Sequence, residues 1–177
     1  MIKYAAFLRG INVGGHHIVK MEELRRIFAA LGFENVKTYI QSGNVIFETA
    51  ETDADFLAEK IERELKQAFG FEVKTMPRTI AEVEEIAARN PFRQPETGAK
   101  IYVCLLSAAP AADLKDSLAA FENDFEDFRL RNRELYWMIR PHNTRKELFS
   151  NNFIEKHLKV AATTRNITTI NKMLLLK

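Results

Sequence analysis

A single cysteine, Cys104, among 177 residues excludes any disulfide within the chain, so stability must come from packing. Cys104 lies in the strand-like run Lys100 to Leu106. A thiol in such a run reads as a buried structural group rather than a nucleophile. No apolar run approaches the ~20 residues needed to cross a bilayer. The N-terminal stretch Met1-Ile2-Lys3-Tyr4 leads into a mixed segment containing Arg9 and has no secretory pattern. These absences lead to the expectation of a cytoplasmic protein that does not enter a membrane. Hydrophobic residues make up 46% of the chain, enough to pack a core and too many for wholesale disorder.

The chain as a whole also lacks a strong charge, at +2, yet the charge is unevenly placed. From Arg129 to Lys177 eleven Lys/Arg stand against three acids, a net +8. From Pro77 to Phe128 five bases stand against ten acids, a net −5, and the first 76 residues carry −1. A basic C-terminal third suits an anionic partner. The alternative is internal balance, with the acidic middle facing the basic end.

Periodicity supplies the elements. Lys3 to Arg9 reads as a strand. Met21 to Leu31 reads as a helix with Met21, Leu24, Ile27, Phe28 and Leu31 on one face and Gly32 as the stop. Val36 to Gln41 and Asn44 to Glu48 flank Ser42-Gly43, a two-residue hairpin signal that sets Ile40 beside Val45 and Thr38 beside Phe47. Asp53 to Phe69 reads as a second helix, carrying Phe56, Leu57, Ile61, Leu65 and Phe69 and closed by Gly70. Glu72 to Met76 reads as a short strand, and Pro77 ends the unit.

Thr79-Ile80-Ala81-Glu82 is a capping box that opens a helix to about Ala88. Asn90 to Gly98 holds two prolines and a glycine and reads as a linker. The order then repeats: a strand from Lys100 to Leu106, and a helix from Ala111 to Phe121 with Leu114, Leu118 and Phe121 inward. Next comes a hairpin around Asn132-Arg133 that sets Leu130 opposite Leu135 and Phe128 opposite Trp137. A second capping box, Thr144-Arg145-Lys146-Glu147, opens a helix toward Leu158. No closing strand is visible after it, and a terminal helix from Ile167 to Leu176 takes its place. The expected fold is α+β. It has two ferredoxin-like βαββα(β) halves, antiparallel sheets covered by helices, and an extra C-terminal helix. The expected boundaries are an N-terminal lobe at 1–77, a connecting helix and linker at 78–98, and a C-terminal lobe at 99–177.

Three segments carry candidate chemistry. The first is the loop Arg9-Gly10-Ile11-Asn12-Val13-Gly14-Gly15-His16-His17-Ile18-Val19-Lys20. Its glycines free the backbone, and it feeds a helix start, where unpaired N–H groups favour an anion. It is neither a Walker A loop nor a dinucleotide fingerprint, because the required spacings fail. The alternative is that the glycines only shape a wide turn. His16 and His17 point apart in most backbones and have no partner at ligand spacing, so no metal and no cofactor is expected. The second segment is the hairpin turn with Gln41, Ser42 and Asn44. The third is Thr163-Thr164-Arg165-Asn166, where Thr164 or Asn166 would cap the last helix and Arg165 sits unfavourably for the helix dipole. In the second hairpin, Arg129, Arg131, Tyr136 and Arg140 share the outward strand face. Basic groups with an interleaved aromatic are what RNA-binding sheets use, although a solvated or packed face has the same composition.

Taken together, Arg9-Gly-Ile-Asn-Val-Gly-Gly, Lys20-Met21, Tyr39-Ile-Gln-Ser-Gly-Asn-Val and Thr163-Thr-Arg-Asn resemble the bacterial family known as domain of unknown function 1697. The resemblance spans nearly the whole chain. It implies a two-lobed α+β fold and brings no activity, substrate or cofactor. His17 stands where the family pattern has asparagine, and Ile167 where an aromatic often follows. The expected function is binding of a phosphate-bearing ligand, nucleotide or nucleic acid in a cleft between the lobes. The site would gather Arg9, Asn12, Gly14, Gly15, His16, Lys20, Gln41, Ser42, Asn44, Thr164, Arg165 and Asn166. Two alternatives remain: an enzyme acting on a small phosphorylated metabolite with His16 as acid or base, and a protein-interaction or homodimerisation module.

Overall fold

A computed structural model describes residues 1–93, 95, 97–121, 123–141 and 150–176. The chain divides into two compact units, 1–85 with 171–177, and 86–170. Each holds a four-stranded antiparallel sheet. Among the described residues no helix is long and apolar enough to cross a membrane.

The first unit runs β1 (Ile2–Leu8), α1 (Met21–Ala30), β2 (Glu34–Tyr39), β3 (Asn44–Thr49), α2 (Ala54–Phe69), β4 (Thr75–Thr79) and the start of α3 (Ile80–Ala88). The sheet order is β2-β3-β1-β4, so β3 lies between the two strands that flank α1. Alternate residues Tyr4, Ala6 and Leu8 of β1 face Val45 and Phe47 of β3, Leu24 and Phe28 of α1, and Leu57, Ile61 and Leu65 of α2. The helical spacing read from sequence therefore marks the core stripes of α1 and α2. Phe56 is the exception: it is half exposed, one position off the buried stripe. α2 is closed at both ends. The Asp53 carboxylate accepts from the Asp55 and Phe56 amides, and Gly70 takes φ +77° so that its N–H reaches the Lys66 carbonyl.

Two strands of this unit differ from expectation. Glu72–Lys74 precedes the last strand, which is Thr75–Thr79 and runs through Pro77. β4 is an edge strand, where a residue without an N–H costs little, so Pro77 interrupts nothing. The β2–β3 connection is a four-residue turn, 40–43, rather than a two-residue one. Tyr39 pairs with Asn44 and Thr38 with Val45, and Ile40 leaves the strand and is half exposed. The Asn44 side chain sets this register by donating to the Tyr39 carbonyl (3.0 Å) and to Ser42 Oγ (2.9 Å).

The second unit holds β5 (Lys100–Leu106), a 3-10 helix (Ala112–Phe121), β6 (Glu126–Arg131), β7 (Glu134–Ile139), α4 (Asn151–Leu158), β8 (Ala162–Asn166) and the start of α5 (Ile167–Leu174). Its sheet order, β6-β7-β5-β8, reproduces the first. Leu130 pairs with Leu135 and Phe128 with Trp137, as the alternation of apolar residues requires. The capping box at 144–147 lies outside the described residues; α4 is capped by the Ser150 hydroxyl, which accepts from the Phe153 amide. The closing strand that the sequence hides is present. It is the Thr163-Thr164-Arg165-Asn166 motif itself, pairing with β5 so that Thr164 faces Cys104 and Arg165 faces Val103. Polar residues fill this strand, so no hydrophobic alternation announces it.

The repeat extends to detail. Tyr4 pairs with Thr79 at the β1–β4 edge, and Tyr102 with Asn166 at the β5–β8 edge. One residue earlier on the edge strands stand Arg78 and Arg165, 1% and 7% exposed. Each edge strand hands its last residue to the next helix as a cap. The Thr79 hydroxyl accepts from the Glu82 amide while Glu82 Oε2 accepts from the Thr79 amide, and Asn166 Oδ1 accepts from the Thr168 amide.

Two outcomes follow from this packing. A Cβ on Gly43 would meet Leu8 Cβ at 2.8 Å and Ile11 Cδ1 at 2.9 Å, at a φ of +75°. Gly43→Ala should therefore cost about 2–4 kcal/mol of unfolding free energy, read from urea midpoints. Cys104 is fully buried, and burial pushes its thiol from an ordinary 9.0 up to about 12, only partly offset by Thr164. The unfolded chain ionises first as pH rises. The contribution is complete below pH 9.0 and is lost between there and about 12. Over that window the native chain should lose stability up to about 1.4 kcal/mol per pH unit more steeply than Cys104→Ala.

Candidate functional site

β1 ends at Leu8, and the chain must cross from the sheet to the start of α1 through residues 9–20. Backbone bonds moor this loop on both sides: Leu8 N–H donates to the Gly43 carbonyl and Arg9 N–H to the Lys74 carbonyl, each at 2.8 Å. At the tip Val13 and His16 form an isolated bridge around Gly14 and Gly15, whose φ values of +59° and +78° fit a tight mirror-image turn. The glycines are thus needed for the turn itself, and the same turn leaves both exposed.

One side chain organises the loop. Asn12 Nδ2 donates to the Val19 carbonyl (3.0 Å) and the Gln41 carbonyl (2.8 Å), and Asn12 Oδ1 accepts from the Val19 amide (2.8 Å). The glycine loop and the hairpin turn are therefore one surface. Both amide protons of Asn12 are committed, so this residue positions the site rather than contacting a ligand. Asn44 does the same for the turn and is wholly buried. Asn12 and Asn44, both expected among the ligand groups, are thus engaged in holding the loop and the turn.

The exposed groups are Gly14, Gly15, His16, Lys20 and Gln41, with Arg9 and Ser42 half-buried beside them. His17 is exposed as well, but its ring is engaged. Its ring stacks on Phe71 at 4.1 Å between centroids, and its Nδ1 lies 3.3 Å from the Gly10 carbonyl. Lys20 is the residue before α1 and gives no side-chain cap, while Glu22 and Glu23 occupy the first turn. The sequence reading passed over three exposed apolar side chains on this surface, Val13 (65%), Ile18 (66%) and Ile40 (49%). Val13 and Ile18 carried a signal, as apolar residues in a segment with no strand or helix period, whereas Ile40 was hidden by continuing the strand pattern.

Thr164, Arg165 and Asn166 belong to the second unit and have local employment. The Thr164 hydroxyl bridges Asn151 Oδ1 (2.6 Å) and the Cys104 sulfur (3.1 Å). Arg165 Nη1 donates to Thr163 Oγ1 (2.8 Å) and to the Thr164 carbonyl (2.9 Å). Burial pulls its guanidinium down to about 10, which still leaves it cationic at neutral pH. Arg165 is a strand residue rather than a helix-start residue, and its place in β8 answers the dipole objection raised by the sequence.

The presumed nucleic-acid face also changes. Tyr136 is buried, 1% exposed, with its hydroxyl donating to the Ile86 carbonyl at 2.8 Å, so its ring offers no stacking platform. Arg131 is exposed at the strand end opposite Glu134. Arg129 and Arg140 instead line a depression of about 360 Å³ with Pro91, Phe92, Arg93, Pro95, Asp127 and Met138. The segment read as a linker thus supplies an aromatic and a cation. Its Pro-rich composition concealed both. Among the described residues no three His, Cys, Asp or Glu side chains gather as metal ligands.

Asn12→Ala should strand the Val19 and Gln41 backbone groups and cost about 1–3 kcal/mol. Amide exchange at Val19 should accelerate with it. An unchanged exchange rate would show that the clamp is not what orders the loop.

Comparison with known proteins agrees with this architecture. Over 99% of this chain and 98% of the other, the fold is similar to the structure of the conserved bacterial protein SP0830 from Streptococcus pneumoniae. The two are 26% identical in sequence, with a TM-score of 0.71. No curated protein matches. The model of one family, described as Protein of unknown function (DUF1697), matches residues 1–136. The chain belongs to that family.

Proposed function

We propose that this protein binds a phosphate-bearing ligand, nucleotide or nucleic acid, on the surface made by residues 9–20 and the turn 40–43. The observation that supports it is the Asn12 clamp. It holds Gly14, Gly15, His16, Lys20 and Gln41 exposed on one ordered surface, with Arg9 beside them. Ordering in advance matters because a loop already fixed loses little further freedom on binding. Exposed backbone next to cationic side chains suits phosphate oxygens, which only accept hydrogen bonds at neutral pH. Glu22 and Glu23 in the first turn of α1 oppose an anion at the helix end itself, so the loop tip is the better place for it.

A second reading rests on Val13, Ile18 and Ile40. Three exposed apolar side chains on one surface suit a protein partner or a second copy of the chain. Light scattering distinguishes the two. A concentration-dependent dimer that Ile18→Asp abolishes favours association; a strict monomer, with no protein partner recovered, removes it.

For the leading proposal, titration of the full chain with a short oligonucleotide at several salt concentrations is the test. Lys20→Ala and Arg9→Ala should each weaken binding by about three- to tenfold, with a shallower salt slope. Affinity unchanged in both variants, or insensitive to salt, would overturn it.

A further inference from the structure

The depression in the second unit has the parts of a site, and they differ from those of the loop surface. Its floor is apolar: Phe92 is half-buried, Met138 is 7% exposed, and Pro91 and Pro95 stand beside them. Its polar side chains, among the described lining residues, are Arg93, Arg129, Arg140 and Asp127. Among the described lining residues the balance is net positive.

The geometry is held by local bonds. Arg140 Nη2 meets Asp127 Oδ2 at 2.6 Å, an ion pair within the lining. Arg93 Nη2 donates to the Ala88 carbonyl at 2.9 Å, and Arg129 Nη1 to the Phe128 carbonyl at 2.7 Å. A guanidinium held by such a bond has a set direction. The Phe92 backbone is fixed as well, because its N–H donates to Asn90 Oδ1 at 3.1 Å and prolines restrict the chain around it. These are preformed features rather than ones that a ligand must induce.

Guanidinium groups match the oxygen geometry of phosphate, and an aromatic face beside them suits a nucleobase, since every base has a π-face to stack. The size, about 360 Å³, is at the small end for ligand pockets and suits one nucleotide unit rather than a dinucleotide. We infer that this depression binds a nucleoside monophosphate unit, with the base on Phe92 and the phosphate between Arg93 and Arg129. The unit would be either free or part of a single strand. This is a site separate from the loop surface, and it stands or falls separately.

The experiment uses the full chain with ¹³C-methyl-labelled methionine. Met138 lies in the depression, and Met21 follows Lys20 at the loop surface. Adenosine monophosphate, ribose 5-phosphate and a short single-stranded oligonucleotide are titrated in turn. The Met138 methyl should shift with the mononucleotide, and ribose 5-phosphate should bind about tenfold more weakly for want of a base. Phe92→Leu should remove that difference. Arg93→Ala with Arg129→Ala should weaken mononucleotide binding by about tenfold or more. Both arginines lie on the rim outside the core, so the fold should survive, as an unchanged Trp137 emission would verify. A much tighter response to the oligonucleotide identifies nucleic acid as the source, and equal responses identify free nucleotide. A Met138 methyl that stays still with both ligands overturns the inference, as does equal binding of ribose 5-phosphate and the mononucleotide. A shift of Met21 alone would overturn it while leaving the loop proposal standing. A shift of Met138 supports the inference whatever Met21 does.

Discussion

Each sheet has a central strand buried on both faces, and the rest of the architecture answers to that constraint. From Tyr4 to Leu8 every residue of β1 is at most 1% exposed, and from Val103 to Leu106 every residue of β5 is wholly buried. Such a strand satisfies its backbone only through its neighbours, so the pairings β3-β1-β4 and β7-β5-β8 are obligatory. It also fixes what its neighbours carry. Even-numbered residues of β1 point to the helices, and odd-numbered ones to the opposite buried face. Arg78 and Arg165 lie on that opposite face, beside Ala5 and Val103, at the same place in the two repeats.

Polar side chains that look like ligand groups are mostly used where this buried sheet meets its loops. Asn12 joins loop to turn, Asn44 closes the turn, Thr164 bridges Asn151 and Cys104, and Asn166 caps α5. Each satisfies backbone or side-chain groups at a loop, turn or helix end. The exposed residues are less conspicuous: a lysine before a helix, and a histidine and two glycines at a loop tip. The proline-rich stretch adds a half-buried phenylalanine and an exposed arginine.

How much of the fold could be read depended on the type of residue at each position. The β6–β7 register was legible because Phe128, Leu130, Leu135 and Trp137 alternate about a two-residue turn, and a shift by one would turn all four outward. The β2–β3 register was misread because Ile40 continues the apolar pattern, whereas the Asn44 side chain decides the turn by reaching Tyr39. β8 could not be seen at all, since a strand of threonine and arginine has no hydrophobic period. Of the candidate site, the adjacency of the glycine loop and the turn was guessed from motifs, and the Asn12 clamp supplied its cause.

By itself the sequence determined the α+β class, the repeated order of elements, the apolar stripes of α1 and α2, and the glycines that end them. All of these follow from local spacing, and local spacing is written in the chain. The tertiary structure alone decided which polar residues are structural and which are exposed. It buried Tyr136 and Arg165, turned His17 onto Phe71, and made Phe92 the wall of a basic depression. Exposure depends on what packs above a residue, and those neighbours are distant in sequence: Tyr136 is held by Ile86 and Asn12 by Gln41.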